Sequence, residues 1–151
     1  KPKVQTVTAI LNKAMKSVHL HFPHLEVSLK VEPEAECVLA DKDRMTQVFV
    51  NILENAARYN DKEKPTCNVR SEKIDDSVVI SFSDNGIGVS EKHLSKIFDS
   101  FYQVDMGSGR KVGGTGLGLS ICRGIMAAHG GKIWAEQNPK GGTVFKISLS
   151  L

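Results

Sequence analysis

The 151-residue chain sets 20 Lys and Arg against 17 Asp and Glu, a formal charge of +3, with 40% hydrophobic and 25% charged residues. This suits one soluble globular domain large enough to bury a real core. The basic residues are scattered and aromatics are only 6% of the chain, which excludes the basic, aromatic-laced stripe of a nucleic-acid binder.

In chain order, Val4, Val7, Leu11, Met15 and Val18 recur at helical spacing, which predicts a helix from about Val4 to Leu20 that Pro23 ends. Glu26 to Val31 alternates as a strand, with Val27, Leu29 and Val31 on one side and Pro33 closing it, and Cys37 to Leu39 suits a short second strand. The clearest helix is Asp41 to Asn60, where Met45, Val48, Phe49, Ile52, Leu53 and Ala56 form one apolar face and Asp41 or Asp43 can cap the start. Strands at about Thr66–Glu72 and Val78–Ser83 follow, joined by an Asp75-Asp76 turn, and Ser90 to Phe98 reads as a short capped helix.

Gln103 to Thr115 is polar and glycine-rich, without periodicity, and long for a connector; such loops often serve as lids. Leu117 to His129 predicts a helix stopped by Gly130-Gly131. Two last strands, about Lys132–Gln137 and Thr143–Leu149, turn at Pro139-Lys140-Gly141-Gly142. The order predicts a mixed sheet with helices on one face.

Cys37, Cys67 and Cys122 are odd in number and widely spaced, so free thiols in a reducing cytosol are expected, not disulfides or a zinc site. No apolar run nears the ~20 residues of a membrane helix, and no signal peptide is visible. The chain begins at Lys1-Pro2, which reads as a piece of something longer, with any membrane segment of the parent outside it.

Three segments carry candidate chemistry. Asn51, Asn55 and Arg58 lie on one stripe beside the apolar face of the long helix; an amide oxygen is a neutral hard ligand for Mg²⁺, although polar helix stripes are also commonplace. Asp84-Asn85-Gly86-Ile87-Gly88 follows a strand, where an aspartate can accept from an exocyclic amine and glycines let a flat ligand approach the backbone; an ordinary Asp-Asn-Gly turn fits the same residues. Gly113 to Leu119 opens a helix with bare N–H groups suited to an anion, or forms a hinge. It is not a P-loop, because no Gly-Lys-Ser/Thr follows.

In this order the segments resemble the motifs of sensor histidine kinases. Asn51 to Tyr59 resembles the N box, Asp84 to Gly88 the G1 box, Phe98 to Phe101 the F box, Gly114 to Leu119 the G2 box, and Gly141 to Thr143 the last glycine motif. Ile121-Cys-Arg-Gly-Ile and His129 to Glu136 look closest to the osmosensitive potassium-channel type. The resemblance implies the two-layer α/β sandwich shared by gyrase, Hsp90, histidine kinases and MutL (the Bergerat fold), with a mixed, mostly antiparallel sheet. It implies that Asn55 ligates Mg²⁺ at the phosphates of ATP, with Asn51 and Arg58 at the phosphate end. Tyr59 would pack near the adenine, Asp84 accept from its amino group, and Gly86 and Gly88 shape the pocket. Phe98 and Phe101 would anchor a lid at about residues 99–115. Gly114, Thr115, Gly116, Leu117 and Gly118 would approach the phosphates, and Thr143 would close the floor. Related kinases often carry Phe-Tyr-Arg where this chain has Phe101-Tyr102-Gln103, so Arg110 or Lys111 is left to reach the γ-phosphate.

The implied activity is donation of the γ-phosphoryl of Mg-ATP to a histidine on a separate dimerisation-helix domain, in signalling to a response regulator. The domain is expected to be cytosolic and monomeric by itself. His93 and His129 lack the acidic neighbour of a phosphoacceptor, and Pro23 keeps His19, His21 and His24 from forming a metal cluster, leaving them a surface loop. The alternatives are a hydrolytic ATPase of the same superfamily, which would need a glutamate where Asn51 stands, and a nucleotide-sensing module without catalysis. Glu54 is expected to be solvated, and Trp134 to serve packing.

Overall fold

The computed structural model describes residues 1–102 and 118–150. Strand β1 (Lys3–Thr6) leads into helix α1 (Val7–His21). Strands β2 (Glu26–Val31) and β3 (Cys37–Ala40) precede the long helix α2 (Lys42–Arg58). Strands β4 (Thr66–Ile74) and β5 (Ser77–Asp84) form a hairpin. Helix α3 (Gly118–Ala128) and strands β6 (Lys132–Gln137) and β7 (Thr143–Ser150) complete the described fold.

The main sheet has five strands in the order β2-β4-β5-β7-β6. Only the β2–β4 pair is parallel; the others are antiparallel. Alternation along the strands builds the core. Cys67 and Val69, then Val78, Ile80 and Phe82, then Phe145, Ile147 and Leu149 are all buried, and the register sets Val69 against Phe82 and Phe82 against Phe145. The helices α1, α2 and α3 cover that face, with Ile10, Val48, Phe49, Ile52 and Met126 fully buried. Each such side chain contributes about 1.5–3 kcal/mol through burial. Phe49 meets Phe82 edge-on with centroids 5.1 Å apart, locking α2 across β5. This is the two-layer sandwich expected from the sequence.

Helix boundaries follow local chemistry. The Asp41 side chain accepts from the Arg44 N–H at 3.1 Å, so Asp41 rather than Asp43 caps α2. That bond holds the Asp41 carboxyl below its ordinary range. Helix α3 ends as predicted at Gly130-Gly131. Gly130 takes φ +70°, its N–H reaches the Ala127 carbonyl, and Gly131's reaches Met126.

Two expectations fail. Val4 belongs to β1 and is 72% exposed; α1 starts at Val7, capped by the Thr6 side chain on the Ala9 N–H. Lys3–Thr6 pairs with Cys37–Ala40 in a separate two-stranded sheet, and that distant pairing overrides the local helical period. Ser90 to Phe98 is not a helix but two 3₁₀ turns, Glu91–His93 and Lys96–Phe98, and Ser90 makes no capping bond. Only Ile97 and Phe98 of this stretch are buried, too little apolar contact to hold so short a helix. Strand β2 falls where predicted, with Val27, Leu29 and Val31 packed against the core.

Cys67 and Cys122 are buried and Cys37 is exposed, all as free thiols. Burial pushes the Cys122 thiol up to about 11. Trp134 is half-buried and donates through Nε1 to Glu136 at 2.9 Å.

Candidate nucleotide site

Asp84 ends β5 at the edge of the core and is 6% exposed. Its Oδ1 receives two backbone hydrogens, from Gly86 at 2.9 Å and from Thr143 at 3.0 Å. Among the described residues, Oδ2 receives none, leaving one fixed acceptor free for a ligand donor. Burial raises the Asp84 carboxyl above its ordinary range, while the two N–H groups work the other way. The negative charge also helps burial to raise the Cys67 thiol, whose residue faces Asp84 across the ladder.

The loop after Asp84 is tied to the end of α2. The Ile87 N–H donates to the Tyr59 carbonyl at 3.0 Å. A Cβ on Gly86 would stand 2.4 Å from that same oxygen, so only glycine fits. The Asn85 side chain accepts from Asn60 Nδ2 at 2.7 Å and the Thr66 N–H at 2.9 Å, and donates to the Lys64 carbonyl. These bonds fasten the segment between α2 and β4 to the Asp84 loop.

From the other side, the turn between β6 and β7 closes on Asp84. Gly142 has φ +92°, and a Cβ there would lie 2.1 Å from the Asp84 carbonyl oxygen. Gly88, at φ +79°, sits against Gly142. An open recess of about 520 Å³ lies between these segments, lined by residues including Ile87, Gly88, Gln137 and Gly142. Its lining includes neither Asp84 nor the α2 asparagines, so it adjoins the Gly88–Gly142 contact and is not the Asp84 pocket itself.

On α2, Asn51, Asn55 and Arg58 are all half-buried. Asn51 Nδ2 donates to the Gly118 carbonyl at 3.2 Å, joining α2 to the start of α3. Among the described residues, the Asn55 side chain has no hydrogen-bond partner. The Arg58 guanidinium lies over the Phe22 ring, 5.6 Å from the centroid, at the end of α1. The stacking is a direct contact for a planar cation beside an aromatic on a neighbouring helix. Tyr59 is half-buried at the C-terminal cap of α2.

Phe98 is buried and meets Phe145 edge-on at 6.2 Å. Phe101 is 72% exposed, at φ +66°. Tyr102 packs against the core, and its hydroxyl bonds to His93 Nδ1. Gln103, Arg110, Lys111, Gly114, Thr115, Gly116 and Leu117 lie outside the described residues.

Glu54 is less solvated than expected, its carboxylate 3.8 Å from His21 with 21% of the side chain exposed. His19 and His21 stand in the last turn of α1, not in a loop, and His19 Nε2 faces the Leu25 carbonyl at 3.0 Å. Both His129 nitrogens are engaged, Nδ1 with the Ile125 carbonyl and Nε2 with the Asp41 N–H.

The family model for histidine kinase-, DNA gyrase B- and HSP90-like ATPases matches residues 40–151. The chain belongs to that family. Over 110 residues, 72% of this chain, it is 44% identical to the sensor protein kinase WalK of Staphylococcus haemolyticus, but that stretch is only 18% of the relative. Its fold matches the mycobacterial sensor histidine kinase MprB with a TM-score of 0.85 at 23% identity, covering 98% of this chain and 97% of that one. The catalytic domain of the histidine kinase ThkA matches at 27% identity and a TM-score of 0.82, covering 99% and 97% of the two chains. ThkA has also been solved in complex with the response regulator protein TrrA; that ThkA chain matches at 26% identity and a TM-score of 0.77, over 99% of this chain and 41% of its own. The chain is thus a nucleotide-binding domain of the histidine-kinase type. The narrower likeness to the potassium-channel type gains no support from these relatives. No helix among the described residues is long and apolar enough to cross a membrane.

Asn85 and Gly142 shape this site; both lie in motifs read from the sequence, Asp84 to Gly88 and Gly141 to Thr143, but neither has a role of its own there. Each looked like turn chemistry, and only the distant partner that each turn meets gives it a role.

Proposed function

We propose that the domain binds Mg-ATP and donates the γ-phosphoryl group to a histidine on a separate dimerisation-helix domain of its own kinase, which then serves a response regulator. The observation that carries the reading is the half-engaged Asp84 carboxylate. Its Oδ1 is fixed by two N–H groups and its Oδ2 is left for a donor such as the adenine amino group. In this reading Gly86, Gly88, Tyr59 and Thr143 would wall the adenine pocket, and Gly118, whose carbonyl accepts from Asn51, would lie at the phosphate end. The reaction needs mainly positioning and charge stabilisation, which fits a site without a nucleophile of its own.

The metal fits the same reading. Among the described residues no group of three or more His, Cys, Asp or Glu is placed to hold an ion. Mg²⁺ usually keeps several waters and takes substrate phosphates as ligands, so the neutral amide of Asn55 would need to add only one protein oxygen. It would neutralise phosphate charge. Residues 99–115 would act as the lid, with Arg110 or Lys111 at the γ-phosphate, and the domain would work in the cytosol, where ATP is available. Hydrolysis is the weaker reading, because Asn51 is an amide, already bonded to Gly118, and an amide cannot accept a proton from water as a carboxylate can.

Calorimetry with ATP, with and without Mg²⁺, tests the reading. The intact chain is expected to bind more tightly with the metal. Asn55→Ala is expected to lose that Mg²⁺ response while keeping its thermal transition, since the side chain lies beside the core and has no partner to abandon among the described residues. An unfolded variant, or one with the full Mg²⁺ response, would remove Asn55 from the metal role.

A further inference from the structure

We infer that Asn138 is the positioning residue that aims the Asp84 carboxylate, and so sets the adenine selectivity of the site; this rests on the reading of Asp84 just given. The paired ladder of β5 and β7 ends at Ser83–Val144. One step further, register would bring Asp84 against Thr143, and in an antiparallel rung the Thr143 N–H would be free to seek the Asp84 backbone carbonyl. It goes instead to the Asp84 side chain, at 3.0 Å. The carbonyl is satisfied from elsewhere, by Asn138 Nδ2 at 3.2 Å.

Asn138 is built for this task. Its Oδ1 accepts from the Lys140 N–H at 3.2 Å, which fixes which end of the amide faces Asp84. Its own N–H donates to the Gly142 carbonyl at 3.1 Å, and its carbonyl accepts from Gly141 at 2.8 Å. Every polar group of the residue is therefore used to hold the turn against Asp84. Without the Nδ2 donor, the Asp84 carbonyl competes with its own carboxylate for the Thr143 N–H. A carboxylate left with only the Gly86 bond can rotate, and Oδ2 no longer points at a fixed place.

The test compares ATP with the triphosphate of purine riboside, which lacks the 6-amino group, by calorimetry on the full chain. Wild type is expected to prefer ATP. Asn138→Ala, and Asn138→Asp, which keeps an oxygen for Lys140 but has no hydrogen for Asp84, are expected to lose roughly tenfold of that preference, the fold-change one hydrogen bond to a charged group carries. The loss should fall on ATP alone, with the analogue bound as by wild type. Parallel loss for both nucleotides, unchanged selectivity, or failure of both variants to fold would overturn the inference, making Asn138 structural or idle. Equal wild-type affinities would instead remove the adenine reading of Asp84, and the inference with it.

Discussion

Gly142→Ala is expected to destabilise the domain by about 2–4 kcal/mol, combining the strain of a left-handed backbone with overpacking. The residue sits at φ +92°, and a methyl group would lie 2.1 Å from the Asp84 carbonyl oxygen and 2.7 Å from its Oδ1. Those atoms are backbone and an anchored carboxylate, so neither can give way cheaply. The neighbouring Gly141 is the control. It takes φ +103° but has open space where a Cβ would stand, so Gly141→Ala should cost only the conformational share, about 1–2 kcal/mol. Urea unfolding of both variants measures the difference. A Gly142→Ala variant no less stable than Gly141→Ala would mean that the turn does not press on Asp84.

The second large effect separates binding from stability. Asp84→Asn is expected to weaken ATP binding by about 1–3 kcal/mol, the cost of a mismatched buried partner. An amide can still accept from Gly86 and Thr143 through its oxygen, but it then presents N–H groups to the adenine amine where Oδ2 had been. GTP, which carries a carbonyl at that position, should be refused by wild type and refused less strictly by the variant.

Stability should move the other way. The Asp84 carboxyl titrates above its unfolded value because burial penalises the charge. A raised folded-state value means that its favourable contribution is present in acid, below the unfolded value, and is lost as pH rises through the folded one. At neutral pH the ionised group is therefore a cost to the empty fold, and Asp84→Asn should unfold at the same temperature as wild type or higher. The gap should narrow as pH falls. A variant that loses both ATP affinity and thermal stability at neutral pH would point to a structural aspartate.

The sequence exposed what depends on near neighbours. The apolar period of α2 reappears in Met45, Val48, Phe49, Ile52 and Leu53, all fully buried. Strand β2 keeps its predicted ends. What escaped depends on partners far along the chain. Val4 fits a helical stripe until Cys37–Ala40 offers a strand to pair with. Arg58 lies on a helix stripe with Asn51 and Asn55, and that stripe does not show that its guanidinium lies over the Phe22 ring at the end of another helix. Phe101 and Tyr102 are adjacent aromatics, and their spacing alone does not tell which packs inward; His93 and the core select Tyr102. Motif order located the Asp84 loop, yet the clamp on Asp84 comes from Asn138 and Gly142, more than fifty residues away.

The central claim is a division of labour, and transfer of labelled phosphate tests it most directly. Given Mg-ATP labelled at the γ-position, the isolated chain should acquire no stable phosphohistidine. His93 and His129 are bonded to Tyr102 and to Ile125 and Asp41, and transfer needs an acceptor held in line. Adding the dimerisation-helix domain of its parent kinase should yield acid-labile, alkali-stable label on that domain's histidine, slowly, because the tether that raises effective concentration is missing. Label on the isolated chain mapped to His93 or His129, or no transfer to the added domain at any concentration, would contradict the account.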